Sequence, residues 1–220
     1  IFIITSDEVE ASKQLIADLE QLPVPYVMVD RTIDALRCDK VTFNNEQGGY
    51  LATKYLLDHG HQRIACMVNT ASTGRARLDG YVRALNEKGV EFDLSLVLTS
   101  DYYIPDAYLA AHQLTKLDAT AVVATSDNIA LGLLRYLNEC GLHVPDDYSV
   151  VGYDNSISDV LFEPALTSIE QNVDELSDAA LLIMFRRLNE LVETQDDSNP
   201  IQVVLEPRMV KKNSVRKLND

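Results

Sequence analysis

Three apolar runs in this chain end in acidic or hydroxyl groups. Residues 26–29 (YVMV) lead to Asp30, residues 120–125 lead to Ser126 and Asp127, and "SVVGY" at 149–153 leads to Asp154. An ionised carboxylate accepts hydrogen bonds in several directions and more strongly than a neutral group. Three such positions, each following an apolar run, suggest a polar cleft suited to a ligand rich in donors. Each also has a plainer reading. Asp154-Asn155 is good turn chemistry, and Asp127 stands where it can cap a helix over 128–140. Arg75 and Arg77 open another helix. They are either solvated there or placed to face a ligand, because a cation is mildly unfavourable at the positive end of the helix dipole. Tyr102 and Tyr103, before Pro105, read as core or as a stacking surface, with core the default.

Covalent and metal chemistry find little support. No G-x-S-x-G is present, and no nucleophile motif appears around Cys38, Cys66 or Cys140. His59 and His61 flank a helix-ending glycine, while His112 and His143 are isolated, so no ligand spacing for a metal emerges. No glycine-rich phosphate loop follows the first strand. Nothing fixes the separation that a pair of glycosidase carboxylates needs. Binding without chemistry, cofactor or metal is the expectation.

The elements that must position these groups follow from periodicity. Apolar runs at 1–5, 26–30, 64–68, 120–125, 149–154 and 201–206 read as strands. Helical patterns alternate with them. Val9, Leu15, Ile16, Leu19 and Leu22 share one face, as do Leu51, Ala52, Tyr55 and Leu56, and then Ile129, Leu133, Tyr136 and Leu137. Gly60, Gly89 and Gly141 stand where helices should end in a left-handed cap. Strand–helix–strand units at this spacing predict an α/β fold with parallel sheets, whose ligands bind at the carboxyl ends of strands. The polar stretch 193–199 reads as a linker.

The 220 residues carry 19 basic against 34 acidic side chains, a formal net charge of −15. That balance argues against this chain gripping nucleic acid or an anionic membrane by itself. No apolar run approaches the ~18 residues of a membrane span. The cysteines, three and widely spaced, read as reduced core thiols in a cytosolic setting. The chain opens on Ile1-Phe2-Ile3-Ile4, a strand already under way, as if cut from a longer sequence.

Several stretches together resemble the lactose/galactose repressor (LacI/GalR) family of bacterial transcription regulators. They are "GGYLATKYLLDHGHQRIACM" (48–67), "RARLDGYVRAL" (75–85), "ATSDNIALGLLRYLNECGLHVPDDYSVVGYDN" (124–155) and "PALTSIEQ" (164–171). The resemblance covers nearly the whole chain. It implies a periplasmic-binding-protein-like core of two α/β subdomains joined by three crossings, near 43–44, 170–171 and 197–199. Residues 1–43 with 171–197 would form an incomplete N-terminal subdomain, and 44–170 with 198–220 the C-terminal one. The family's helix-turn-helix DNA-binding domain has no counterpart in these residues.

By the same resemblance, Asp154 accepts bonds from an effector, commonly a sugar, and Arg77 is the effector-binding arginine. Asp30 matches a polar strand-end position, Tyr102 falls near an aromatic wall, and Ser126 stands where the family usually has Asn. The loop "NTASTG" (69–74) lacks the family's frequent Gly-Pro. The function implied is allosteric: a homodimer whose effector controls operator binding through the N-terminal domain, in the cytoplasm. An extracytoplasmic sugar-binding protein of the same fold is the alternative, and a sugar-hydrolysing enzyme a third reading without a residue constellation to support it.

Overall fold

The computed structural model describes residues 11–157, 164–193 and 199–218. The strand expected at 1–5 lies outside them. Of the helix expected at 9–22, the described part is α1, Ala11–Glu20. The chain divides into two compact units, Ile1–Asn44 with Asn172–Glu206 and Asn45–Gln171 with Pro207–Asp220.

The first unit is built on a parallel sheet in the order β1-β2-β8, formed by Val27–Val29, Asp39–Phe43 and Gln202–Leu205. Helix α6, Val173–Glu193, buries Leu176, Ala180 and Ile183 against Val27, Val29, Val41 and Phe43. On another side Leu19 of α1 packs with Met28, Leu36 and Cys38. Asp39 opens β2 although it is buried, because Arg187 of α6 donates to both its oxygens at 2.8 Å. That bidentate pair pins the helix to the sheet.

The third crossing falls between Glu206 and Pro207 rather than at 197–199. The reason is β8, which pairs in parallel with β2 from Lys40↔Gln202 to Phe43↔Leu205 and so belongs to the first unit. Only after it does the chain enter the second unit as β9, Arg208–Val210.

The second unit holds a sheet in the order β4-β3-β5-β6-β7-β9. Its parallel strands are β3 (Ile64–Val68), β4 (Val97–Thr99), β5 (Ala121–Ala124), β6 (Ser149–Asp154) and β7 (Thr167–Glu170), with β9 antiparallel at the edge. Helices α2 (Asn45–Asp58) and α3 (Ser72–Glu87) cover one face, and α4 (Ile104–Ala111) and α5 (Asp127–Glu139) the other. Ile64, Cys66 and Val68 point toward α2 and α3, while Ala65 and Met67 point toward α4 and α5. Burial on both faces is why the strand reads as an unbroken apolar run. Gly60, Gly89 and Gly141 take positive φ of 90°, 70° and 71° at the helix ends.

Cys38 and Cys66 are buried free thiols, and burial pushes the Cys66 thiol up to about 12. Cys140 is exposed. It is the C-cap residue of α5, past the last turn whose Leu137 is buried, so it does not share the core expected for it.

Residues 212–218 are stitched to the second unit. Ser214 donates to Val150 O at 2.6 Å and accepts from Thr167 N at 2.8 Å, and Arg216 N donates to Ser149 Oγ. Buried His61 completes this clamp. A carbonyl only accepts, so the contact of Nε2 with Arg216 O at 3.2 Å puts the ring proton on Nε2 and leaves Nδ1 to accept from Thr120 Oγ1 at 2.9 Å. Burial lowers the pKa of this imidazole.

Candidate functional site

The chain leaves β3 toward β4 on one side and returns to β5 on the other, so the sheet order reverses beside β3. In open parallel sheets, ligands gather at the carboxyl ends of strands flanking such a reversal. Here those ends carry Asn69 after β3, Thr125 and Ser126 after β5, Asp154 closing β6, and Gln171 after β7.

Arg77 ties these strand ends together. It is 4% exposed. Its Nε donates to Asn45 Oδ1 at 2.8 Å, Nη1 to Thr125 O at 2.5 Å and Nη2 to Gln171 Oε1 at 3.4 Å. The guanidinium lies over the Tyr153 ring, 3.6 Å from its centroid, and Nη1 stands 3.6 Å from Asp154 Oδ1. A planar fork of donors can serve acceptors on three elements at once while its face stacks on an aromatic.

Two glycines make this arrangement possible. A Cβ on Gly48 would fall on the Tyr153 ring, and one on Gly49 would overlap the Arg77 backbone. Together "GG" in α2 lets α3 come close enough to lay Arg77 across the strand ends.

Asp154 is partly exposed and takes φ 96°, with Asn155 following at φ 54°. Non-glycine residues in this region are uncommon, and where they persist the surroundings hold them there. Around the same strand ends, among the described residues, three buried polar atoms lack a hydrogen-bond partner: Asn69 Nδ2, Thr125 Oγ1 and Gln171 Nε2. Leaving a buried donor or acceptor unmade costs about 1–3 kcal/mol each. Three on one sheet edge mark a place where an incoming molecule can satisfy them.

The other residues singled out from sequence are placed as follows. Ser126 is buried and is the N-cap of α5, its hydroxyl accepting from Ile129 N at 3.2 Å. Asp127 is therefore not the cap. It is fully buried, and its two oxygens are occupied by Ser156 N at 2.7 Å and Ser168 Oγ at 2.9 Å, so it faces scaffold rather than open cleft. Burial raises its pKa, opposed by these hydrogen bonds. Tyr102 is half-buried with its hydroxyl 2.9 Å from Thr73 Oγ1, and Tyr103 is 71% exposed, so neither is a core residue. Arg75 is exposed. Asp30 belongs to the first unit, where it follows β1 at φ 66° and its amide donates to Val41 O.

Asn45, Asn69, Tyr153 and Gln171 had not been singled out. Asn69 follows a buried strand just as Asp154 ends one, and that rule would have found it. Nothing local distinguishes Asn45, whose importance comes from a partner 32 positions away.

Among the described residues no group of three or more His, Cys, Asp or Glu could hold a metal ion, and no helix is long and apolar enough to cross a membrane. A family model described as the periplasmic binding protein-like domain matches residues 53–215. The chain belongs to this family. Its relatives include transcriptional repressors and structures of LacI-family regulators. The chain is 35% identical over 224 residues to the HTH-type transcriptional repressor PurR of Vibrio campbellii, covering 100% of this chain and 65% of the relative. The PurR repressor of Vibrio atlanticus is 32% identical over 223 residues with the same coverage. The chain thus spans just under two thirds of these relatives. Among solved structures, a LacI-family regulator from Enterococcus faecium with bound ribose superposes with a TM-score of 0.84 at 28% identity, covering 99% of this chain and 80% of that one. The regulator CelR in complex with cellobiose gives 0.77 at 31% identity, covering 87% and 59%. For a periplasmic-binding-protein-like domain, the carboxyl edge of the six-stranded sheet is thus a natural binding face.

Proposed function

We propose that this domain binds a small polar effector, a sugar or sugar derivative, and so controls the DNA binding of a dimeric transcription regulator. The observation that carries the proposal is the strand-end cluster: the Arg77–Asp154 pair beside three buried polar atoms that still need partners. Asp154 would accept from a hydroxyl, Asn69 and Gln171 would donate through their amides, and Thr125 can do either. Arg77, with three donors already engaged, would act mainly by fixing the floor of the site. Tyr102 and Ser126 are proposed as further contacts. Asp127 drops out of this set. The sugar class draws support from the ribose and cellobiose held by the two solved relatives.

The domain would act by binding alone. The relatives it matches are named transcriptional repressors, which supports that reading. Operator contact would be made by a part of the protein outside this chain, in the cytoplasm.

A thermal-shift screen of pentoses, hexoses, disaccharides, sugar phosphates and purine bases tests this. A ligand at a hundred times its Kd adds about 2.7 kcal/mol to the native state. For a chain of this size that raises Tm by roughly 5 °C or more. A sugar that does so, and loses the effect on Asp154→Asn, supports the proposal. Turnover of the bound sugar, or binding that ignores Asp154, overturns it.

A further inference from the structure

Asp127 is a buried carboxylate that the proposed effector contacts do not use, and it sits behind the strand end that they need. Its Oδ2 accepts from Ser156 N at 2.7 Å, from Ile157 N at 3.4 Å and from Ser156 Oγ at 3.4 Å. Its Oδ1 accepts from Ser168 Oγ at 2.9 Å, and that hydroxyl accepts in turn from Asn155 N at 3.1 Å. Three successive amides, 155 to 157, thus lead directly or through one hydroxyl to a single side chain.

The neighbouring strand is built around this carboxylate. Gly152 lies on β6 two residues before Asp154, and a Cβ there would fall on Asp127 Oδ1 and on the Leu166 side chain. The "G" of "VVGYDN" therefore clears room for the anchor. The Asn155 side chain is held on both ends, its Nδ2 donating to Glu170 Oε1 at 3.1 Å and its Oδ1 accepting from Lys212 Nζ at 2.8 Å.

Held between these contacts are the two left-handed residues, Asp154 at φ 96° and Asn155 at φ 54°. Such backbone conformations last only where several contacts fix them together. With the amides released, the turn would relax toward negative φ and carry the Asp154 carboxylate away from Arg77.

We infer that Asp127 is the positioning residue for Asp154: its carboxylate clamps the 155–157 amides and so sets the direction of the effector-facing carboxylate. This rests on the reading of Asp154 as an effector contact, but the clamp itself is measurable without a ligand. Asn at position 127 keeps the shape but loses the charge and turns one of the two acceptor oxygens into a donor, so the arm through Ser168 must reverse its bond while the other weakens.

The test is amide hydrogen exchange on the isotope-labelled chain by NMR, comparing the parent with Asp127→Asn and, as a milder variant that removes only one arm, Ser168→Ala. Exchange at Asn155, Ser156 and Ile157 should speed up by about tenfold or more, the scale set by one lost hydrogen bond to a charged group. Amides in β3 and β5 should keep their rates, and the Arg77 Nε–H signal should shift as its carboxylate neighbour moves. If Asp127→Asn fails to fold, Ser168→Ala decides alone on the same readouts. Unchanged exchange at 155–157, or equal acceleration throughout the second unit, overturns the inference. Asp154→Asn separates the two levels. If that variant leaves sugar binding intact while the clamp responds as described, the effector reading fails and the positioning role stands.

Discussion

Replacing Arg77 with lysine keeps the charge and removes the fork. In the structure the fork reaches Asn45 on α2, the Thr125 carbonyl after β5 and Gln171 after β7, while its face rests on Tyr153. An ammonium on a straight stem is a point charge and cannot span those acceptors in the guanidinium plane. At least one charge-assisted bond disappears, about 1.5–3 kcal/mol. The guanidinium–aromatic contact adds about 0.5–2 kcal/mol for a site so little exposed. Arg77→Lys should therefore destabilise the chain by about 2–5 kcal/mol, which for this length lowers Tm by roughly 5–15 °C. The assay is thermal and urea unfolding without ligand, with Arg75→Lys alongside. Arg75 is exposed, and its substitution should stay within about 0.5 kcal/mol. Effector affinity should also fall about ten- to a hundredfold for Arg77→Lys, since the floor of the site moves. Equal effects at the two arginines, or a Tm for Arg77→Lys within about 2 °C of the parent, would refute the reasoning.

Asp154→Asn should lower effector affinity by about 1.5–3 kcal/mol without loss of fold, measured by calorimetry. Gly49→Ala should cost about 1–3 kcal/mol or more in urea unfolding, because the new methyl meets the Arg77 backbone at the α2–α3 crossing. The folded chain holds His61 neutral, with its pKa below the unfolded value, so on acidification the unfolded state takes up the proton first. Stability should hence decline as pH drops below about 6.5, and His61→Gln should flatten that part of the unfolding-versus-pH curve. With a net charge of −15, the chain alone should give no gel shift with DNA at moderate salt.

Strands buried on both faces were legible from sequence. The run at 149–154 coincides with β6, and those at 64–68 and 120–125 with β3 and β5. The runs at 26–30 and 201–206 likewise contain β1 and β8, but the more polar strands β2 and β7 were not read. The residues "DKVTF" of β2 begin with a charged group that is buried only because Arg187, 148 positions away, neutralises it. "TSIE" of β7 carries hydroxyls that bond the Lys212 amide and the Asp127 carboxylate, so its burial leaves no apolar signature. The same holds at the candidate site. Carboxylates at strand ends could be picked out, because strand ends can be read. Which of them is partly open and which is spent on scaffold depended on contacts across the fold. Asp127 and Asp154 look alike in the sequence and carry different jobs in the structure.

The interleaving of the two units has a consequence for how the protein is made. The ribosome delivers the chain from its N-terminus, and the second unit's central strands are all present once Gln171 has emerged. Yet that sheet lacks its β9 edge and its Ser214 clamp until some forty residues later, after the intervening helix α6 and strand β8 have gone to the first unit. The first unit waits in the same way for β8. Neither half can finish on its own schedule, so the nascent chain must carry two unfinished sheets at once, each with an open edge. Completion of both is tied to the same last stretch of synthesis, and a pause before Glu206 would leave both sheets on the ribosome without their last strands.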